Sequence, residues 1–391
     1  MRRDIGQLIN GSRVMRSRLS TSSSCATGCR LQNPDGTRIP KPRLLSCPVT
    51  SWSKREGNTL RPMNVSPVRS SRERLVDHGW SWIHRSTRRR RPEGRWHESG
   101  SHRRSLPWAG SSRARGCALV QARIQDRRAL SQAIDDYSIT GVIHLAALKA
   151  AGESVDMPLE YYAENVGGML DLLSVMKEKD VRNLVYSSSA AVYGTPVTNP
   201  VAEDAALIPE NPYGETKVVG EWLARDAGIA WNLSWVGLRY FNVAGAGAAS
   251  LGDNSVNNLI PMVFAALDAG RRPQIFGDDY PTLDGTCIRD YIHVVDLAEA
   301  HVAAAARCEG GNAADVFNVG RGVGSSVREV MDVISSVTGA DVGAEVAPRR
   351  PGDPPATFAA TDSIRDEMGW NASRDLEDMV SSSWRAHTLE R

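Results

Sequence analysis

The stretch Asn183-Leu-Val-Tyr-Ser-Ser-Ser-Ala-Ala-Val-Tyr-Gly194 sets the fold class. After Asn183, Leu184-Val-Tyr186 is a short apolar run, the pattern of a strand buried on both faces, and the run ends abruptly in three hydroxyl side chains. A buried strand whose carboxyl end turns polar is how a parallel α/β sheet presents a ligand site. Outward from it the same grammar repeats. Gly141–Ala147 and Leu233–Tyr240 read as strands, Pro158–Met176 and Tyr213–Ala227 as helices between them, with Pro158 in the first turn of its helix. The polar residues collect at three strand ends, His144 to Lys149, Ser187 to Tyr193 and Tyr240 to Gly245.

From Asn257 the character changes to turn-rich loops, such as Phe276-Gly-Asp-Asp-Tyr-Pro281 and Arg349-Arg-Pro-Gly-Asp353. The expected architecture is an α/β, Rossmann-like doubly wound parallel sheet in 119–256, with a smaller C-terminal substrate-binding lobe made mainly by 257–391.

Residues 1–118 do not share this organisation and are expected to be irregular or disordered. The net charge of +2 hides 25 basic and 7 acidic residues up to Ala118, against 22 basic and 38 acidic after it. Of the 25, 23 are Arg, and the same stretch holds five of the ten Trp and four of the six Cys, a mixture typical of neither a nucleic-acid-binding tail nor a linker. Cys25 and Cys29 lack a second Cys/His pair at ligand spacing, so no metal is expected. No run of 18 apolar residues and no secretory leader pattern occurs, which leads to the expectation of a cytoplasmic protein with no membrane partner.

The chemistry centres on Tyr213-Gly-Glu-Thr-Lys217. Four residues apart on a helix, the phenol and the ammonium leave the same face. A free tyrosine is a poor base at neutral pH, and lowering its pKa by about three units takes roughly 4 kcal/mol of preferential phenolate stabilisation. A neighbouring Lys⁺ and a cationic nicotinamide ring are sources of that stabilisation, and the phenolate would then be a general base for a sugar hydroxyl. Ser189, at the end of a strand, offers a hydroxyl to the same substrate oxygen. The plainer readings are an exposed i, i+4 pair and a strand-end turn.

Leu184-Val-Tyr-Ser-Ser-Ser-Ala-Ala-Val-Tyr-Gly194, Asn211-Pro-Tyr-Gly-Glu-Thr-Lys217, Leu238-Arg-Tyr-Phe-Asn-Val-Ala-Gly245 and Arg289-Asp-Tyr-Ile-His-Val294 resemble the motifs of the UDP-glucose 4-epimerases, members of the extended short-chain dehydrogenase/reductases. That resemblance implies a tightly held NAD that takes hydride from sugar C4 while the tyrosine takes the O4 proton, followed by rotation of the 4-keto sugar and re-reduction on its other face. By the same resemblance Ser189, Tyr213 and Lys217 are catalytic. Leu145, Ala146, Ala147, Lys149, Asn165, Ser187 and Phe241 join Tyr213 and Lys217 along the cofactor. Asn242, Asn258, Gln274, Phe276, Arg289, Arg350 and Asp353 hold the UDP part of a UDP-hexose. A homodimer is the implied assembly.

Related dehydratases carry an Asp-Glu pair where this chain has Ala190-Ala191, which points to epimerisation and away from dehydration. Thr357 falls where a bulky tyrosine in some relatives closes the pocket to N-acetyl groups, so UDP-GlcNAc is a candidate substrate. A non-catalytic UDP-sugar-binding remnant stands as the alternative from another class.

One required element is missing. A Rossmann enzyme needs a strand running into a glycine-rich turn, because only Gly lets the backbone approach the pyrophosphate at the helix N-terminus. Where that turn belongs, the chain reads Leu75-Val-Asp-His-Gly-Trp-Ser-Trp-Ile-His-Arg-Ser-Thr87. Advancing the reading frame by one nucleotide, Trp80 before Ser81 forces Gly, and so does Trp82 before Ile83. Asp77 to Thr87 then permits Ile-Thr-Gly-Gly-Ala-Gly-Tyr-Ile-Gly-Ala. The same shift from Trp96 to Trp108 permits a second strand ending in an acidic residue suited to the adenosine ribose. The resulting expectation is a frame shift across roughly Leu75–Cys117, which leaves the chain as written impaired in NAD binding and needs no nucleic-acid partner for its arginines. A genuine basic tail for nucleic acid or a membrane surface is the competing reading.

Overall fold

The computed structural model describes residues 119–253, 258–350 and 352–389. The arginine-rich segment, its cysteines and the shifted glycine turn lie outside the described residues.

The chain enters through α1 (Arg127–Tyr137), capped by the Asp126 carboxylate accepting from the Ala129 N–H, and continues into β1 (Val142–His144). Two short helices, α2 (Ala151–Asp156) and α3 (Pro158–Tyr161), lead through a π-helical turn, Tyr162–Val166, into α4 (Gly167–Glu178). Next come β2 (Asn183–Ser187), a 3₁₀ turn at Ala190–Tyr193, α5 (Pro212–Trp231), β3 (Ser234–Tyr240) and β4 (Asn242–Ala244). After α6 (Leu259–Asp268) and β5 (Gln274–Phe276), β6 (Ile288–His293) runs directly into α7 (Val294–Glu309) and then β7 (Ala314–Val319). The remainder is β8 (Gly324–Ser326), α8 (Val327–Thr338), β9 (Glu345–Ala347), β10 (Ala356–Thr357), α9 (Asp362–Met368) and α10 (Leu376–Leu389).

Four strands, in the order β1-β2-β3-β7, form an all-parallel sheet, with Val142 opposite Leu184, Leu184 opposite Trp235 and Trp235 opposite Ala314. Helices cover both faces. Met169, Leu172 and Met176 of α4 and Ala224 and Ala227 of α5 pack on one, while Leu297, Ala300, Ala304 and Cys308 of α7 pack on the other. This is the doubly wound arrangement. Residues after 257 do not form a wholly separate unit, since β7 completes the first sheet and α7 lies on it. The smaller lobe consists of the sheet β10-β6-β4 with β8 antiparallel to β6, the pair β5-β9, and a core from α6, α8 and α10 that includes Phe264, Ile334 and Met379.

Two helices depart from their sequence-based bounds. The stretch expected as one helix over Pro158–Met176 is broken by the π turn, and α5 runs on to Trp231, beyond Ala227. α5 starts where Asn211 accepts from the Gly214 N–H at 2.9 Å with Pro212 in its first turn. Its seat on the sheet depends on Gly220, where a Cβ would fall 2.1 Å from the Tyr186 hydroxyl.

Candidate active site

β2 delivers Ser187, Ser188 and Ser189 at its carboxyl end, and α5 delivers Tyr213 and Lys217 beside them. Ser189 begins the 3₁₀ turn, its Oγ accepting from the Ala191 N–H at 3.2 Å, and its hydroxyl is hydrogen-bonded to the Tyr213 phenol. Lys217 is 3% exposed and donates through Nζ to the Ser187 carbonyl at 2.8 Å. Its Nζ lies 5.8 Å from the Tyr213 ring centroid and 5.3 Å from that of Tyr186. Ser189, Tyr213 and Lys217 are thus one cluster.

The electrostatics differ from the sequence expectation. Burial pushes the Tyr213 phenol above its ordinary value, and the Ser189 hydrogen bond only partly opposes that. The physical reason is geometric: the ammonium is directed at a carbonyl instead of the phenol oxygen. Burial also brings Lys217 down to about 8 against the attraction of Glu221. His144, at the end of β1, is brought to about 3 by burial and by the Lys217 charge, so it stays neutral.

The residues expected along the cofactor gather around the same strand ends. The side chain of Asn165 donates to the Leu148 carbonyl and accepts from the Leu148 N–H, at 3.0 and 2.8 Å, and donates to Thr216 Oγ1 at 3.0 Å. The π turn projects Asn165 out of helical phase so that it can pin the loop Leu145–Ala150 above α5. Ala146 and Lys149 are exposed on that loop, while Leu145 and Ala147 are half-buried. Phe241 sits beneath the 3₁₀ turn, packed with Val192, Tyr193 and Val218.

In the lobe, β10 lies beside β6 with Thr357 opposite Arg289. Arg289 donates through Nη1 to the Ile288 and Pro354 carbonyls, both at 2.8 Å, and through Nη2 to Asp353 at 3.2 Å. That leaves Nε–H and one Nη2 proton of its five donors for an anion. The Arg350 guanidinium lies over the Phe276 ring at 3.9 Å, and Gln274 is two residues from Phe276 on β5, hence on the same face. Phe276, Gln274, Arg289, Arg350, Asp353 and Thr357 therefore belong to one region. Asn242 is exposed on β4 and hydrogen-bonds Tyr291, whereas Asn258 is tied to Asp253 at 2.5 Å.

The sequence reading missed the charged layer under the serines. Arg239 and Glu221, each with a side chain 5% exposed, form a two-pronged pair at 2.9 and 2.7 Å, and Glu221 also accepts from the Ser188 hydroxyl at 2.5 Å. The available signals were a charged residue inside an otherwise apolar strand and an acid one turn beyond Lys217. A cavity of ≈ 210 Å³ between Thr140, Asn183, Val302 and Ala305 opens at the amino ends of β1 and β2, away from this chemistry. Among the described residues no group of three His, Cys, Asp or Glu side chains could hold a metal ion, and no helix is long and apolar enough to cross a membrane.

A parallel sheet with a buried Ser-Tyr-Lys cluster at its carboxyl edge agrees with a comparison of whole sequences, in which residues 70–320 match the profile of the NAD dependent epimerase/dehydratase family. The chain belongs to this family. It is 45% identical over 276 residues to UDP-glucose 4-epimerase of Bacillus subtilis, spanning 68% of this chain and 80% of that one. It is 40% identical to the Lacticaseibacillus casei UDP-glucose 4-epimerase over 69% of this chain and 83% of the relative. Among solved structures it is similar to UDP-glucose-4-epimerase from Stenotrophomonas maltophila with bound NAD and formylated UDP-arabinopyranose, at 41% identity and TM-score 0.65, covering 69% of this chain and 83% of that one. The UDP-Glc/GlcNAc 4-epimerase of Campylobacter jejuni matches at 36% identity and TM-score 0.62, covering 70% and 85%.

The family cofactor is NAD, and the described residues fit its reactive half: a buried ammonium, a phenol and the pinned loop Leu145–Ala150 converge on one strand-end crevice. The stretch Leu75–Thr87, where its glycine turn was expected, lies outside the described residues.

Proposed function

We propose that this chain carries the site of a UDP-hexose 4-epimerase acting between UDP-glucose and UDP-galactose. The observation that carries the reading is the Ser189, Tyr213 and Lys217 cluster, with Ala190 and Ala191 directly after the serine and no acid there to drive dehydration. NAD, when bound, supplies the oxidising and reducing equivalent at C4. Tyr213 takes the sugar O4 proton and returns it, Ser189 holds the same oxygen by a shared hydrogen bond, and Lys217 offsets the negative charge formed on the phenol. Arg289 and Arg350 hold the diphosphate with planar donors, and Phe276, Gln274, Asn242 and Asn258 flank the nucleotide. Leu145, Ala146, Ala147, Lys149, Asn165, Ser187 and Phe241 are the proposed cofactor side of the crevice.

A coupled assay on UDP-galactose tests this. Turnover that falls by about 10²-fold or more in Tyr213→Phe is the expected result, since general-base catalysis is worth that much. Tight UDP binding without turnover would instead establish the binding remnant. The glycine turn in the other reading frame adds a second outcome: the protein as written purifies with well under one NAD per chain, and full occupancy refutes the impairment. Peptides detected by mass spectrometry across Asp77 to Gly100 decide which frame is translated.

A second substrate has its own support. Thr357 is small, 8% exposed, and its hydroxyl has no partner among the described residues, so it leaves unfilled the volume that a tyrosine at this place would take from an N-acetyl group. Turnover of UDP-GlcNAc lost selectively in Thr357→Tyr supports this, and no UDP-GlcNAc turnover by the parent chain ends it. Exposed apolar side chains on α3 to α5, Leu159, Leu170, Trp222 and Ile229, support a homodimer through those helices, measurable by sedimentation.

A further inference from the structure

Behind the catalytic pair lies a buried imidazole with no part in the chemistry above. His301 of α7 is 2% exposed, and its Nδ1 is 2.8 Å from the Leu297 carbonyl oxygen. A carbonyl only accepts, so Nδ1 carries the proton and Nε2 is a lone-pair acceptor. Ser187 Oγ lies 2.9 Å from Nε2 and is therefore the donor. The Tyr240 phenol is hydrogen-bonded to the same serine hydroxyl. Burial holds the His301 pKa at about 4, so this tautomer persists at neutral pH.

Ser187 is also the residue whose carbonyl accepts from Lys217 Nζ. It is the last residue of β2, and directly after it the chain turns, the Ser188 N–H closing back on the Tyr186 carbonyl at 3.0 Å. The strand ladder thus ends at this peptide. Its orientation depends on the serine side chain, gripped from the α7 side.

We propose that His301 is a positioning residue for Lys217: by anchoring the Ser187 hydroxyl it fixes the carbonyl that holds the ammonium beside Tyr213. The inference rests on the proposed role of Lys217, but its test needs neither turnover nor cofactor. The groups facing Lys217 are Glu221 on its own helix, Tyr213 at the helix start, Tyr186 and the Ser187 carbonyl on β2, and His144 on β1. None of them is altered in His301→Leu.

The chain has six lysines, so lysine labelled at Cε and Nζ gives a countable set of NMR signals, with Lys217 assigned by its loss in Lys217→Arg. The wild-type titration midpoint is expected near 8. His301→Leu should lower it by about half a unit or more, because a hydrogen bond to the charged form is weakened while the desolvation stays. His301→Gln, whose amide oxygen reaches the Nε2 position, should bring it back to within about 0.2 unit of wild type. Ser187→Ala should reproduce the Leu shift and add nothing to it in the double variant. An unmoved midpoint in His301→Leu, or an equal shift in the Leu and Gln variants, overturns the proposal. Should His301→Leu not fold, Ser187→Ala decides, and no shift there overturns it equally. A shift as described with no epimerase turnover would leave the anchor established and remove only the catalytic reading.

Discussion

Glu221→Gln isolates the buried charge layer with almost no change in shape. In the wild type Arg239 spends its Nε and Nη2 donors on Glu221 and its Nη1 donors on the Tyr193 hydroxyl at 2.9 Å and the Glu203 carbonyl at 2.8 Å. The amide would leave a guanidinium whose side chain is 5% exposed without a counter-charge and would turn an N–H₂ toward its donors. Removing one partner of a buried pair costs about 3–5 kcal/mol, because the other charge stays desolvated. At about 2–4 °C per kcal/mol for a body of this size, the melting temperature should fall by about 10 °C. Urea unfolding followed by tryptophan fluorescence reads the free energy directly. Replacing both partners with apolar residues, Glu221→Leu with Arg239→Met, should recover half or more of the loss, since neither charge is then stranded. A loss below about 1 kcal/mol in Glu221→Gln, or a double variant worse than the single, would refute the reasoning.

Gly220→Ala should destabilise despite the roughly 1 kcal/mol that alanine gains in a helix interior, because the new methyl meets the Tyr186 ring; a raised melting temperature would contradict the close approach. Acid lability follows from His144 and His301, whose folded values of about 3 and about 4 lie below the ordinary imidazole value of 6.5. Lowered groups contribute stability that is present above 6.5 and lost as pH falls toward their folded values. Asp290, raised by burial to about 6, gains a proton in the folded state over the same range and offsets one of the two. His293 is lowered by burial as well, so the net is about one proton or more, a loss of about 1.4 kcal/mol or more per pH unit between pH 6 and 5, and His144→Phe should reduce that slope by about 1.4 kcal/mol per pH unit. Urea midpoints at several pH values check this, and an unchanged slope in the variant counts against it.

The parallel sheet and α5 were readable because the buried strands are mostly apolar and Asn211-Pro212 is a local start signal that needs no tertiary help. That Ser189, Tyr213 and Lys217 lie together was readable because helical spacing alone puts Tyr213 and Lys217 on one face beside a strand end. The π turn was not, since an extra residue in a helix leaves the apolar pattern nearly intact. Nor was the phenol's raised pKa, which is set by where Lys217 points and how deeply Tyr213 is buried. Arg289 lies in the expected strand, but its free donors were not readable: the Pro354 carbonyl and Asp353 lie more than 60 positions away and the Ile288 carbonyl belongs to the residue before it, and together they consume three of its donors.

A π turn is a helix carrying one residue more than its hydrogen-bond ladder can seat, and this has a consequence for how the family's chains can vary in length here. Deleting one residue among Tyr162–Val166 would let α3 and α4 fuse into a regular rod, a locally favourable change that sequence statistics would call neutral. It would also rotate everything on one side of the cut by about 100°. Asn165 would swing off Leu148 and Thr216, and of the two holds on the loop only the Tyr161 hydroxyl on Ala150 would remain. The surplus residue is thus a spacer that natural length variation should preserve, even though no side chain in the turn besides Asn165 grips that loop.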